Sequence, residues 1–377
     1  MLTTLHKAYL TRKETKANIL LIRTSKLRLE KQMTTVKEIA KTCNVSATTV
    51  SNIINNRPNV SEKTREKVLK AMKEMNYTPN YIAKNLKMNS TQSIGVIVED
   101  MTIFSIPDII DGITKHCDEA GYQILLFNLR LFQRYHEAYY RSQVYYSQVH
   151  QEIHEFLARK VEGIIYVSGH ERKLSCIPED LPIPVVVTYA TNNNTNIPSV
   201  IVDDEDGSYQ IVSHLISMGH KKIGVISGLA DSPHAKGRLR GYQRALFENE
   251  ILFDPQLVVE GNWKPDGGYQ YSQQLLSRGA TALFCMNDLM AIGAYKRLKD
   301  LNLVVGKDVS VVGFDNREIL QYFDPPLTTM KLPLHNIGYR SSEIMLQLLQ
   351  NQKQLHNGKI YTVNCQMIQG ESVNKID

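Results

Sequence analysis

Between residues 35 and 75 the apolar positions recur at helical spacing in three short blocks. Val36, Ile39, Ala40 and Cys43 form one stripe, Val45, Val50, Ile53 and Ile54 a second, and Val68, Leu69, Met72 and Met75 a third. Thr35 followed three residues later by Glu38 is the reciprocal capping pattern that satisfies two backbone amides at a helix start. Asn44 stands where the first block turns into the second, and Asn enters the left-handed region more cheaply than most residues. Ser46 and Ser61 are natural N-caps for the next two helices. The pattern therefore predicts two short helices joined by a tight turn over 35–56 and a third over 60–75. Pro79 stops the third, and Asn80 can start a short fourth. The second helix opens on Ala47, Thr48, Ser51 and Asn52, small or polar residues suited to base edges. An αα-hairpin within some core is the competing reading.

From Ser93 the period changes. Apolar runs at 93–98, 123–127, 163–167, 184–188, 200–202, 222–227, 282–286 and 309–314 alternate with helix-like segments. Continuous β-branched runs between helices predict parallel sheets buried on both faces. There are too many units for one compact sheet, so two α/β lobes with a cleft between them are expected. Open sheets of this kind bind ligands at the carboxyl ends of their strands.

Charge divides along the same boundary. Residues 1–32 carry eight Lys/Arg and two Asp/Glu, and residues 33–90 carry ten and four, so each segment has a net +6. The remaining 26 basic and 32 acidic residues give −6. A basic helical end on an acidic body is the footprint of a protein that meets phosphate at one end only. The five cysteines are odd in number, widely spaced and without a CxxC pair, which fits reduced thiols and a cytoplasmic location. No apolar run approaches the roughly 20 residues needed to span a bilayer. Residues 1–32 have no secretory cleavage pattern and read as an upstream start or a disordered basic arm.

The helical segment resembles the lactose-repressor/galactose-repressor (LacI/GalR) family of bacterial transcription regulators. The residues that carry the resemblance are Thr35 to Ala40, Val45-Ser46, Thr49-Val50-Ser51, Asn55, Val60-Ser61, Thr64-Arg65, Asn76-Tyr77, Pro79-Asn80, Ala83 and Leu86. With the body included, the resemblance spans roughly residues 33–373. It implies a small all-α helix-turn-helix headpiece over 33–78 and a hinge helix with linker over 79–92. A two-lobed α/β core like periplasmic sugar-binding proteins follows, crossed by the chain three times, with DPPLTTM (324–330) at one crossing. The expected lobes are 93–199 with about 332–358, and 200–331 with about 359–377.

The same resemblance implies a homodimeric repressor, without cofactor, on a near-palindromic double-stranded operator. Its DNA-facing residues would be Thr35, Ser46, Ala47, Thr48, Ser51, Asn52, Asn55 and Leu86, the last wedged into the minor groove. Family members often carry Arg where this chain has Asn52, and Asn suits adenine. A small effector, expected to be a sugar, would lie between the lobes against Phe104, Arg238, Trp263, Asn287 and Asp315. Three have a plainer reading: Arg238 as a solvated helix-start residue, Trp263 as an ordinary aromatic, and Asn287 with Asp288 as the cap and first-turn charge of a helix. Asp315 ends a strand, where a carboxylate is well placed for hydroxyls.

Residues 129–160 depart from the family pattern and are rich in Tyr. They read as a lengthened surface helix or loop, with a lid beside the cleft as the alternative. His150 and His154 are four apart but lack the HExxH order and any third ligand, so no metal site is expected. GxSxG and Walker patterns are missing, which favours a binding protein over an enzyme. The runner-up, an extracytoplasmic-type sugar-binding protein, leaves residues 33–90 unexplained. The sequence leaves open which effector binds and whether it releases or promotes DNA binding.

Overall fold

The computed structural model describes residues 34–54, 57–77, 90–350 and 358–376. The extension over 1–32, Asn55 and the hinge segment with Leu86 lie outside the described residues. The chain divides into two compact units, one up to Asn89 and one from Ser90.

The first unit holds α1 (Val36–Cys43), α2 (Ala47–Ile54) and α3 (Glu62–Glu74). The expected capping box is present: Glu38 N donates to Thr35 Oγ1 at 3.3 Å, and Thr35 N donates to Glu38 Oε2 at 2.7 Å. Asn44 ends α1 in the left-handed region at φ 50°. Ser46 Oγ accepts from Thr49 N at 3.0 Å and so caps α2. Ile39, Cys43, Val50, Ile53 and Val68 close a small core.

Two details differ from expectation. Ser61 stands at the N-cap position of α3, but its hydroxyl bonds the Thr64 hydroxyl at 2.9 Å and caps no backbone amide. Leu69 is 48% exposed. The inward stripe is Val68, Ala71, Met72 and Met75, spaced i, i+3, i+4, i+7, and Leu69 falls about 100° off it.

The second unit is built on two six-stranded sheets. The chain runs β1 (Ser93–Val98), α4 (Ile106–Glu119), β2 (Gln123–Asn128), α5 (Leu131–Tyr135), a 3-10 helix (His136–Arg141), α6 (Tyr146–Ala158), β3 (Gly163–Val167), the short β4 (Lys173–Leu174), β5 (Val185–Thr188), the short β6 (Thr191–Asn192) and β7 (Ser199–Asp203). It continues through α7 (Asp204–Ser217), β8 (Ile223–Ser227), α8 (Pro233–Glu248), β9 (Val258–Glu260), α9 (Pro265–Ser277), β10 (Ala282–Cys285), α10 (Asp288–Asp300), β11 (Ser310–Asp315) and β12 (Thr328–Lys331). Then come α11 (Leu334–Leu349), β13 (Ile360–Asn364) and β14 (Gln366–Ile368). The first sheet has the order β13-β7-β5-β3-β1-β2 and the second β14-β12-β11-β10-β8-β9. All pairs are parallel except β12 with β14. β1, β3 and β5 are buried almost throughout, as their unbroken apolar runs require.

The strand pairing revises the expected lobe boundaries. The run 200–202, expected to open the second lobe, is part of β7, which pairs with β5 and β13 in the first sheet. The crossing comes after it, at Asp203–Asp204. The closing segment, expected over about 359–377 in the second lobe, is split: β13 adds parallel to β7 in the first sheet, whereas β14 adds antiparallel to β12, with Cys365 between them. An apolar run fixes that a strand forms but not which sheet receives it. The chain thus passes between lobes three times, after β7, after β12 and after β13.

The Tyr-rich segment lies at the surface, as expected, but two of its tyrosines anchor it inward. Tyr139 and Tyr145 are buried and join Ile97, Ile164 and Tyr166 in a second apolar core on the first sheet. All five cysteines are free and buried. Among the described residues no helix is long and apolar enough to cross a membrane.

In the first lobe α4 and α11 cross backbone to backbone. A Cβ on Gly338 would collide with the Ile109 carbonyl, and one on Gly112 with the His335 carbonyl. Gly338→Val should therefore destabilise the core by about 1–3 kcal/mol through overpacking. Urea unfolding followed by circular dichroism reads this; an unchanged midpoint would mean that the helices do not cross there.

Candidate functional site

The carboxyl ends of β3, β7, β8, β10 and β11 meet at the seam between the lobes, and their loops supply its polar groups. Asp204 is the first residue after β7 and opens α7, at the point where the chain crosses. Arg238 lies on the second turn of α8 with only 2% of its surface exposed. Its Nε donates to Asp204 Oδ1 at 2.7 Å, and its Nη1 donates to the Met286 carbonyl and lies 3.6 Å from Asp315 Oδ1. The guanidinium carbon sits 3.7 Å from the Phe314 ring centroid. The plain reading of Arg238 as a solvated helix-start residue is thus excluded, because it is buried and shared by two carboxylates.

His234 stands one turn before Arg238 on the same face of α8. Its Nδ1 lies 2.5 Å from Asp204 Oδ2 and 3.6 Å from Glu171 Oε2, which comes from the loop after β3. The Glu171–His234 contact therefore joins the first lobe to the second. Burial alone would raise the Asp204 carboxyl, but its interactions with His234 and Arg238 outweigh it and hold Asp204 below the ordinary Asp value. Burial would likewise lower His234, yet Asp204 and then Glu171 keep its imidazole above the usual range.

Asp315 ends β11 at φ 115°, a backbone region that L-residues rarely adopt. Its carboxyl is pushed up by burial, only partly countered by Arg238 and Arg317. Asp288, the first residue of α10, is fully buried and is also pushed up, first by burial and then by the Asp315 charge. It is held by the Thr329 hydroxyl at 2.7 Å and the Arg317 amide at 2.8 Å. Two carboxyls in one buried site do not both ionise freely.

Trp263 is half-buried, with φ 63°, and its indole lies against Gly228, where any Cβ would collide with the ring. Its ring centre is 5.7 Å from the Arg238 guanidinium. Asn287 caps α10, its Oδ1 accepting from Met290 N at 2.9 Å while its Nδ2 donates to the Trp263 carbonyl at 3.1 Å. Its amide thus fixes the Trp263 loop. Phe104 is 36% exposed and meets the second lobe through Arg317, whose guanidinium lies 4.4 Å from the ring centre.

Of the five sequence-predicted residues, the structure brings together Arg238, Asp315, Trp263 and Asn287, and Phe104 joins them only by way of Arg317. Asp204, Glu171, His234, Asp288 and Arg317 were not singled out as site residues. For His234 a signal existed, since it is four residues before Arg238 and must share its helix face. Asp204 was hidden by the misplaced boundary at residue 200.

Glu171, Asp204 and His234 also have ligating atoms within 4.8 Å of one another. The 2.5 Å contact leaves no space for an ion between Asp204 and His234, and Arg238 holds the other Asp204 oxygen. The group is an ion-pair network rather than a metal cradle. His150, considered with His154, turns to the Cys176 carbonyl at 3.1 Å.

On the first unit Ser46, Ala47 and Thr48 are exposed at the start of α2, and Ser51 and Asn52 are half-buried along it. The Thr35 and Ser46 side chains are engaged in capping, which leaves Ala47 and Thr48 as the fully exposed residues at the start of α2.

A family model described as bacterial regulatory proteins, lacI family, matches residues 35–80, and one described as a periplasmic binding protein-like domain matches residues 212–373. The HTH-type transcriptional repressor PurR of Vibrio atlanticus (strain LGP32) is 32% identical over 349 residues, covering 92% of this chain and 100% of that protein. The lac repressor dimer bound to operator and the anti-inducer ONPF has a TM-score of 0.70 at 29% identity, over 91% of this chain and 99% of that one. A LacI-family sugar-binding transcriptional regulator from Escherichia coli, complexed with phosphate, has a TM-score of 0.56 at 26% identity, over 76% of this chain and 100% of that one. The chain belongs to the lacI family of bacterial regulatory proteins.

Proposed function

We propose that this protein is a homodimeric transcriptional repressor whose operator affinity is set by a neutral sugar bound between the lobes of its core. The observation that carries the effector reading is the convergence of Arg238, Asp315 and Trp263 at the strand ends. An aromatic face beside a guanidinium and a carboxylate suits a sugar, which offers an apolar ring face and a rim of hydroxyls. The buried Arg238 guanidinium and the His234 imidazole are already engaged by carboxylates. A phosphate would have to displace those partners, whereas a neutral polyol need not. The E. coli LacI-family relative, a sugar-binding regulator solved with phosphate, supports a sugar as the effector class.

The DNA reading rests on α2. Its outward face is small and polar, and a recognition helix of that kind reads base edges in the major groove. One such headpiece buries too little surface for tight specific binding, so two copies on a near-palindrome are expected. The lac repressor structure with operator is that of a dimer, which favours the same assembly here. The effector shifts operator affinity only to the extent that it binds the two states of the core differently.

Asp315→Ala tests the effector site. In a gel-shift with operator DNA and a panel of ribose, glucose, galactose and cellobiose, the wild type should change its operator affinity with at least one sugar. Asp315→Ala should bind operator as before and respond to none. A mutant that responds at the wild-type sugar concentration would remove Asp315 from the site.

Asn52→Arg tests base readout. Asn pairs with adenine through N6 and N7, and Arg with guanine through O6 and N7. Selection of binding sites from a random library should show preference at one base moving toward guanine by about 1–3 kcal/mol. An unchanged motif would rule out contact between Asn52 and a base.

A further inference from the structure

The Tyr-rich segment is rooted in one lobe and touches the other. Its root is an ion pair of the first lobe: Arg172 Nη1 donates to Glu99 Oε2 at 3.0 Å and Nη2 to Glu99 Oε1 at 2.6 Å. Glu99 is fully buried. The rings of Tyr139, Tyr140 and Tyr145 surround this guanidinium, with centres 5.3, 5.6 and 5.9 Å from its central carbon. A bidentate pair enclosed by aromatic rings is rigid, so the base of the segment moves with the first lobe.

The tip behaves differently. Arg141, at the end of the 3-10 helix, donates to Asp231 Oδ2 at 2.6 Å, and Glu137, one turn earlier, lies 3.7 Å from Lys264 Nζ. Both partners belong to the second lobe. Asp231 lies two residues before α8, which carries His234 and Arg238, and Lys264 directly follows Trp263. The two pairs therefore tie one short helix to the two loops that border the candidate effector cleft. Tyr140, between them, stands edge-on to His170 at 4.8 Å, next to Glu171. All four charged side chains are 61–72% exposed, so they can separate into water without leaving a buried charge.

We propose that residues 131–146 are a lid on the cleft, fixed to the first lobe through Arg172 and latched to the second by Arg141–Asp231 and Glu137–Lys264. The proposal rests on reading the cleft as the effector site. Opening the lobes must break the two outer pairs while the tyrosine-enclosed root stays intact. Each exposed pair favours the latched state by only about 1.4- to 5-fold, so the latch is weak enough to open thermally and to be screened by salt.

Hydrogen exchange of residues 136–146 in the full chain, without any sugar, tests the lid. Arg141→Glu sets two carboxylates against each other and should speed exchange there several-fold, as should 1 M NaCl for the wild type. Asp231→Arg should do the same. The double variant Arg141→Glu/Asp231→Arg restores an opposite-charge pair and should return exchange toward the wild-type rate. Unchanged exchange in the single variants, or a double variant as fast as the singles, would overturn the latch. Because no sugar is present, a lid that passes this test stands even if the sugar panel fails, and the loss then falls on the effector assignment alone.

Discussion

The core depends on one buried cation. Arg238 reaches into the seam and is held by Asp204, by the Met286 carbonyl and, at longer range, by Asp315. Removing a charged side chain from water costs several kcal/mol, and only a full set of partners offsets that. Here the partners come from different parts of the fold. Asp204 stands at the chain crossing, Met286 follows β10 and Asp315 ends β11. Arg238 can be satisfied only when the end of β7 in the first sheet meets the ends of β10 and β11 in the second, so the ion network and the meeting of the two lobes specify each other. The same arrangement holds Asp315 in a backbone region that L-residues rarely adopt, a kind of strain that clusters at ligand sites.

The network also connects the lobes. His234 shares Asp204 with Arg238 and reaches Glu171 across the seam. Phe104 and Arg317 meet across it as well, and so do the charged residues at the tip of the Tyr-rich segment. These contacts range from fully buried to largely exposed. Buried ones set the rest position of the lobes, whereas exposed ones can exchange with water at little cost. A ligand in the proposed cleft would meet both kinds. It would alter lobe geometry through the exposed contacts first, because the buried ones resist separation.

Much of this was legible in the sequence, for identifiable reasons. The helix-turn-helix could be read almost residue by residue, since caps such as Thr35 with Glu38 and the turn residue Asn44 act locally. The buried parallel strands were legible because both faces need apolar residues. The family resemblance, not spacing, points to Arg238, Asp315 and Trp263, which the structure brings close together. What stayed hidden is non-local. Whether the run after residue 199 joined the first or second sheet depends on hydrogen bonds to β5 and β13, far away in sequence. That error concealed Asp204. The Tyr-rich segment looked like surface because its polar tyrosines give no apolar period, yet Arg172 and Glu99 draw them into a core.

The most direct measurement uses the protein's one tryptophan, which stands beside the buried cation. Trp263 fluorescence during urea unfolding reports on this seam. Arg238→Met keeps much of the side-chain volume but leaves Asp204 and Asp315 buried with less compensation. Breaking a buried pair in this way should cost about 3–5 kcal/mol, seen as a clear fall in the unfolding midpoint. A variant that unfolds at the wild-type midpoint would contradict the claim that the core depends on Arg238.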